Sequence, residues 1–228
     1  MNKELFENNV PATNQLKDSG SVRFYYSEGA KINVLFIGNS ITLHGDRPEI
    51  GWHGERGMAS SKIENDYVHQ TVYMLEQKLG KINYCIAQVA AWECEFWNYE
   101  LLKEKYTAAQ EFCADIVIVR AGENSASKKE ELIRLGYETY FDSMVKFFVT
   151  DRAKLVVVSD LFWAWETIDD AIKNVVKKNG YKLVSINDLG ADKTMKAVGL
   201  FENTSVAAHP GDLGMKKIAE RLVSAIMD

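Results

Sequence analysis

Short apolar runs alternate with longer amphipathic ones along most of this chain. Val22–Tyr26 suits a short edge strand, and Ile32–Ile37 is a compact β-branched run that stops at Gly38. Tyr67–Leu79 carries apolar residues at helical spacing and ends at Gly80. Ile82–Val89 reads as a second strand of the main sheet, Phe96–Phe112 as a helix and Asp115–Val119 as a buried strand. Glu130–Val149 predicts one long amphipathic helix, Lys154–Val158 a fourth buried strand, and Ile168–Lys178 a helix stopping at Gly180. Tyr181–Ile186 completes the strands, and Asp212–Met227 is a final helix with Asp212 as its expected N-cap.

Buried strands separated by amphipathic helices predict an α/β fold with a parallel sheet covered on both faces. Such sheets bind ligands at the carboxyl ends of their strands, so the loops leaving the strands are where chemistry is sought. The expected division is an N-terminal arm or edge extension over 1–30 and one α/β domain over 31–228. A length of 228 residues supports a well-buried core without requiring a second full domain.

Composition narrows the class. The net charge is −5 and no Lys/Arg run stands out, which argues against a nucleic-acid groove and against docking on an anionic membrane. No apolar run is long enough to span a bilayer, and the opening MNKELFENNVPATN has no apolar core of a signal peptide. The given chain is thus expected to be soluble. Cys85, Cys94 and Cys113 are odd in number and lack CxxC spacing, so neither a disulfide framework nor a zinc knuckle is expected. A nucleotide-binding domain would carry GxGxxG or GxxxxGK[ST] after the first main strand, and neither occurs there.

Three segments carry candidate chemistry, two at strand ends and one before the final helix. Gly38-Asn39-Ser40-Ile41-Thr42 follows the first main strand. A serine on a tight turn there is held rigid and exposed, as a nucleophile must be, although a plain turn with Ser40 as a cap fits the same residues. Arg120-Ala121-Gly122-Glu123-Asn124 follows Asp115–Val119, and the Asn124 amide suits donation to an oxyanion as well as a polar turn. Of the four histidines, His44, His53, His69 and His209, the last lies in Ala207-Ala208-His209-Pro210-Gly211, where Pro-Gly turn structure can hold a base.

Taken in order, these segments resemble the SGNH (GDSL-like) hydrolase family. Gly38-Asn39-Ser40 resembles its first block, Gly122-Glu123-Asn124 its Gly-x-Asn block, and His209-Pro210 with Asp212 and Gly214-Met215 its last. The resemblance spans roughly residues 31–228. It implies a three-layer α/β/α, flavodoxin-like fold with a five-stranded parallel sheet, Ser40 as nucleophile, His209 as base and Asn124 in the oxyanion hole. It implies a carboxylesterase needing no metal or organic cofactor.

Two positions depart from the family pattern. The second block carries a glycine whose N–H completes the oxyanion hole, whereas the corresponding loop here reads Gln88-Val89-Ala90-Ala91-Trp92-Glu93. A backbone N–H survives any side chain but proline, so Ala91 or Trp92 can serve. The last block is usually Asp-x-x-His, yet Val206 stands three residues before His209. A backbone carbonyl near Ser205 or Val206 can orient the imidazole instead, as can Glu123 or Glu202, with Asp212 less suited because it should cap a helix. A neutral orienter fixes the tautomer but stabilises the imidazolium less, which implies a slower enzyme.

The tryptophans bear on substrate. Trp52, Trp92, Trp97, Trp163 and Trp165 all follow strands and are expected near the catalytic edge. Trp52, Trp92, Trp163 and Trp165 are the expected substrate-binding faces, suited to sugar rings in preference to an apolar acyl chain, with packing between helices as the alternative. The first-choice substrate is a short acyl ester, such as acetyl, on a carbohydrate. A lysophospholipase, thioesterase or acyltransferase of the same fold, or a non-catalytic carbohydrate-binding relative, are the alternatives. The long segment His44–Met58 is expected to form a lid or pocket wall. Its His44, Asp46, His53 and Glu55 match no recognised metal-ligand spacing.

Overall fold

The computed structural model describes residues 20–228. Its sheet has six strands: β1 (Val22–Tyr25), β2 (Ile32–Gly38), β3 (Ile82–Gln88), β4 (Ile116–Arg120), β5 (Leu155–Ser159) and β6 (Lys182–Val184). Their spatial order is β1-β3-β2-β4-β5-β6. Strands β2 to β6 run parallel, and β1 joins the edge antiparallel to β3. The five parallel strands therefore have the order 2-1-3-4-5, that of a flavodoxin-like doubly wound sheet. Residues 1–19 of the expected N-terminal arm lie outside the described residues.

Nine helices stand between and after these strands among the described residues: α1 (Tyr67–Leu79), α2 (Ala90–Cys94), α3 (Tyr99–Glu111), α4 (Lys129–Leu135), α5 (Tyr137–Phe148), α6 (Glu166–Asn179), α7 (Asn187–Ala191), α8 (Thr204–Ala207) and α9 (Asp212–Met227). Alternation along the strands divides the core into two layers. Leu35, Ile37, Val117, Val119 and Val158 face α3, α5 and α6, where Tyr106, Phe141 and Ile172 are buried. Val34, Phe36, Ile86, Ile118 and Val157 face α1 and α9, where Val68, Leu75, Ile218 and Leu222 are buried. The period of two in a strand thus builds both layers from the same residues.

Three helical expectations change. The single helix over Glu130–Val149 is two, because Gly136 takes φ 76° and ends the first; the amphipathic period continues across the break and hides it. The helix expected from Phe96 starts at Tyr99, where the Asn98 side chain accepts from the Leu101 N–H at 3.3 Å. Asp212 is not the N-cap of α9. Gly211 holds that place, and Asp212, in the first turn, accepts instead from Ser61 N–H and Oγ and from Asn65 Nδ2 at 2.6–2.8 Å. An acidic residue there still favours the positive end of the helix dipole.

Register aligns the strand ends that matter. Gly38 pairs with Gln88 on one side and Arg120 on the other, so the loops after β2, β3 and β4 leave the sheet at one level.

Candidate active site

The turn after β2 depends on Gly38. A Cβ there would lie 2.7 Å from the Arg120 carbonyl oxygen and would collide with Thr42. The Asn39 carbonyl closes the turn by accepting from the N–H groups of Thr42 and Leu43 at 2.9 and 3.0 Å. Ser40 follows, half-buried, and its carbonyl accepts from Met58 N–H at 2.8 Å.

His209 reaches the same point from the other end of the chain. Its Nε2 lies 2.9 Å from Ser40 Oγ. Its Nδ1 lies 2.8 Å from the Ser205 carbonyl oxygen. A carbonyl only accepts, so Nδ1 carries the proton and Nε2 of the neutral ring is free to accept from the serine hydroxyl. Helix α8 presents that carbonyl, and Asn203 caps it by accepting from Ser205 and Val206 N–H at 2.9 and 3.2 Å. Val206 itself is fully buried in an apolar cluster with Trp52, Met58, Ala59 and Ala197. Burial pushes the His209 pKa down to about 4; the Ser205 bond works against this and the positive charge of Arg120 adds to it.

None of the other proposed orienters takes the His209 Nδ1 contact, which goes to Ser205. Glu123 pairs with Arg120 and accepts from Asn39 Nδ2 at 2.6 Å and from Phe162 N–H at 3.3 Å. Glu202 is exposed, and Asp212 holds Ser61 and Asn65.

Asn124 stands after β4, beyond Gly122, whose φ of 138° and close neighbour Leu161 favour glycine. The Asn124 side chain donates one Nδ2–H to Glu93. Ala91 lies in the first turn of α2, where an amide N–H has no intrahelical acceptor. Sequence reasoning missed the charged layer beneath these residues. Glu93 and Arg120 are both fully buried, and Asn39 bonds to each of them and to Glu123. The one signal in the sequence is a charged residue closing the apolar run Ile116–Val119.

Two of the expected substrate-binding tryptophans are corrected. Trp52 is fully buried under the Arg56 guanidinium, which lies 4.5 Å from its ring centre, and Trp92 is buried against Tyr137. Neither offers a face to a ligand. Trp163 is half-buried and meets the His209 ring edge-on, centroids 4.9 Å apart. Trp165 is half-buried, with Lys129 Nζ 5.3 Å from its ring centre. The His44–Met58 segment is tied to itself and to the domain: His44 bridges to Arg56, Arg47 to Trp52, and Gly57 N–H donates to Asp66 at 3.2 Å. Among the described residues no three of its acidic and histidine side chains gather as a metal site, and no helix is long and apolar enough to cross a membrane.

No family model matches the sequence, and no curated protein does. Solved structures do match. A Bacteroides uniformis protein assigned as a GDSL-like lipase is similar over 88% of this chain and 97% of its own, with TM-score 0.56 and 15% identity. A Bacteroides ovatus protein of the same assignment covers 86% and 98%, with TM-score 0.55 and 12% identity. A family 3 carbohydrate esterase from Clostridium thermocellum covers 86% and 96%, with TM-score 0.50 and 15% identity. The chain thus has the α/β fold of the SGNH hydrolases.

Proposed function

We propose that this protein is a serine ester hydrolase in which Ser40 attacks and His209 serves as base. The observation that carries the reading is the chain of contacts from Ser40 Oγ through His209 to the Ser205 carbonyl, at 2.9 and 2.8 Å. Ser40 Oγ adds to the ester carbonyl while Nε2 takes its proton. The tetrahedral oxyanion is held by the Ser40 N–H, the Ala91 N–H and the second Nδ2–H of Asn124. His209 then gives the proton to the departing alcohol. Water, deprotonated by the same Nε2, attacks the acyl-serine and releases the acid.

A short acyl group on a carbohydrate is the substrate this reading favours. The half-buried Trp163 beside His209 is an aromatic wall at the reacting atoms. The carbohydrate esterase of the same fold supports the choice. The alternative of a non-catalytic relative rested on the missing acid, and the Ser205 carbonyl supplies the orienting contact that it lacked.

Turnover of p-nitrophenyl acetate and labelling by a fluorophosphonate probe test the reading. Ser40→Ala is expected to abolish both. Labelling that persists in that variant overturns the assignment.

A further inference from the structure

The charged layer under the site is more elaborate than packing requires. Glu93 sits two residues beyond Ala91 on α2, with no exposed surface. Its carboxylate accepts from Asn39 Nδ2 at 3.0 and 3.3 Å, from Gly122 N–H at 2.5 Å, from Asn124 N–H at 3.2 Å and from Asn124 Nδ2. Its own backbone carbonyl accepts from Ser125 Oγ at 2.9 Å. One side chain therefore ties together the turn before the nucleophile, the helix offering the Ala91 amide, and the loop bearing Asn124.

We propose that Glu93 is a positioning residue of the oxyanion hole, holding Asn124 with one N–H committed inward so that the other faces the reacting carbonyl. The proposal rests on the reading of Ser40 as nucleophile. Four donor groups converge on two carboxylate oxygens, which a neutral amide cannot match: glutamine has one acceptor oxygen, and its NH₂ would confront a donor. A buried carboxylate is expensive to desolvate, so a role met by packing alone would be met more cheaply by an apolar side chain. The charged groups that act on it include Glu123 and Arg120, which pair with each other. Burial first, and then the like charge of Glu123, raise the Glu93 pKa above the ordinary carboxylate range. The hydrogen bonds from Gly122, Asn124 and Asn39 pull the other way and offset part of that rise.

The test is Glu93→Gln in the full chain, assayed with p-nitrophenyl acetate beside Asn124→Ala and the double variant. Glu93→Gln is expected to lower kcat roughly ten- to a hundredfold with KM little changed, less than the roughly 10²–10³ of losing an oxyanion donor outright. Because Glu93 acts through Asn124, the double variant should match Asn124→Ala within about twofold, whereas a purely structural role would add its own loss. If Glu93→Gln does not fold, Glu93→Asp keeps the charge, withdraws it by one methylene and should show the same kcat loss. Wild-type kcat in whichever folded variant is measured, or simple additivity in the double variant, overturns the proposal. A wild type without Ser40-dependent turnover overturns the functional reading, and the positioning role with it.

Discussion

The imidazole of His209 is oriented by the main chain of Ser205, not by a side chain: Nδ1 donates to that carbonyl across 2.8 Å. The contact spans one turn, from the start of α8 to the loop before α9. It fixes the same tautomer that an acid would fix, without placing a full negative charge beside the imidazolium of the proposed reaction.

Replacing Ser205 by alanine should therefore change kcat/KM by less than about twofold. The exposed Ser205 hydroxyl takes no part, since only the carbonyl is used. Steady-state kinetics check this, and a loss of a hundredfold would mean that the hydroxyl carries the role.

Val206→Asp, which restores the familiar acid-x-x-histidine spacing, should not create a triad. The Val206 side chain packs among Trp52, Met58, Ala59 and Ala197 with no exposed surface. A carboxylate there has no partner and should destabilise the fold by several kcal/mol, on the order expected for an unpaired buried charge. Chemical denaturation measures the loss. A variant both as stable and more active than wild type would show that the segment can turn the new acid toward His209.

Gly38→Ala should be among the most damaging single changes at the site. The new methyl would meet the Arg120 carbonyl at 2.7 Å and displace Thr42 from its 2.8 Å contact with Tyr67. Overpacking of this kind costs about 1–3 kcal/mol, with the larger figure expected where backbone is the obstacle. Melting temperature and labelling of Ser40 should fall together. Unchanged labelling would mean that the turn tolerates a side chain.

How far the sequence reveals this site depends on whether the information is local. Ser40 and His209 are legible because each sits in a turn whose chemistry is written within five residues; the strand pattern places the Ser40 turn at the sheet's carboxyl edge, and the His209 turn is marked by the helix that follows it. The same pattern places the tryptophans near that edge but does not say which way each ring points. Trp52 turned inward because Met58, Ala59 and Val206 gave it an apolar bed. Glu93 was illegible for another reason. Its donors come from residues 39, 122 and 124, and their convergence on one carboxylate exists only in the folded chain.

The depressed pKa of His209 has consequences for both activity and stability. As the proposed base His209 must be neutral, so the acid limb of kcat/KM should fall near pH 4, well below the ordinary histidine value of 6.5. For stability, the unfolded chain binds a proton at His209 below about pH 6.5, while the folded chain does so only below about pH 4. Between these values the unfolded state holds more protons, so acidification across that window destabilises the fold. The contribution is on the order of 3–4 kcal/mol, by the 1.36 kcal/mol that each pKa unit represents. Glu93 works in the opposite direction, because its raised pKa lets the folded state hold the extra proton and its contribution is lost as pH rises. The effect of His209 is therefore isolated by comparing wild type with His209→Gln, which shares the same Glu93. Denaturation curves from pH 4 to 7 should show the wild type losing more stability than the variant as pH falls. Parallel curves would mean that the buried imidazole titrates as it does in water.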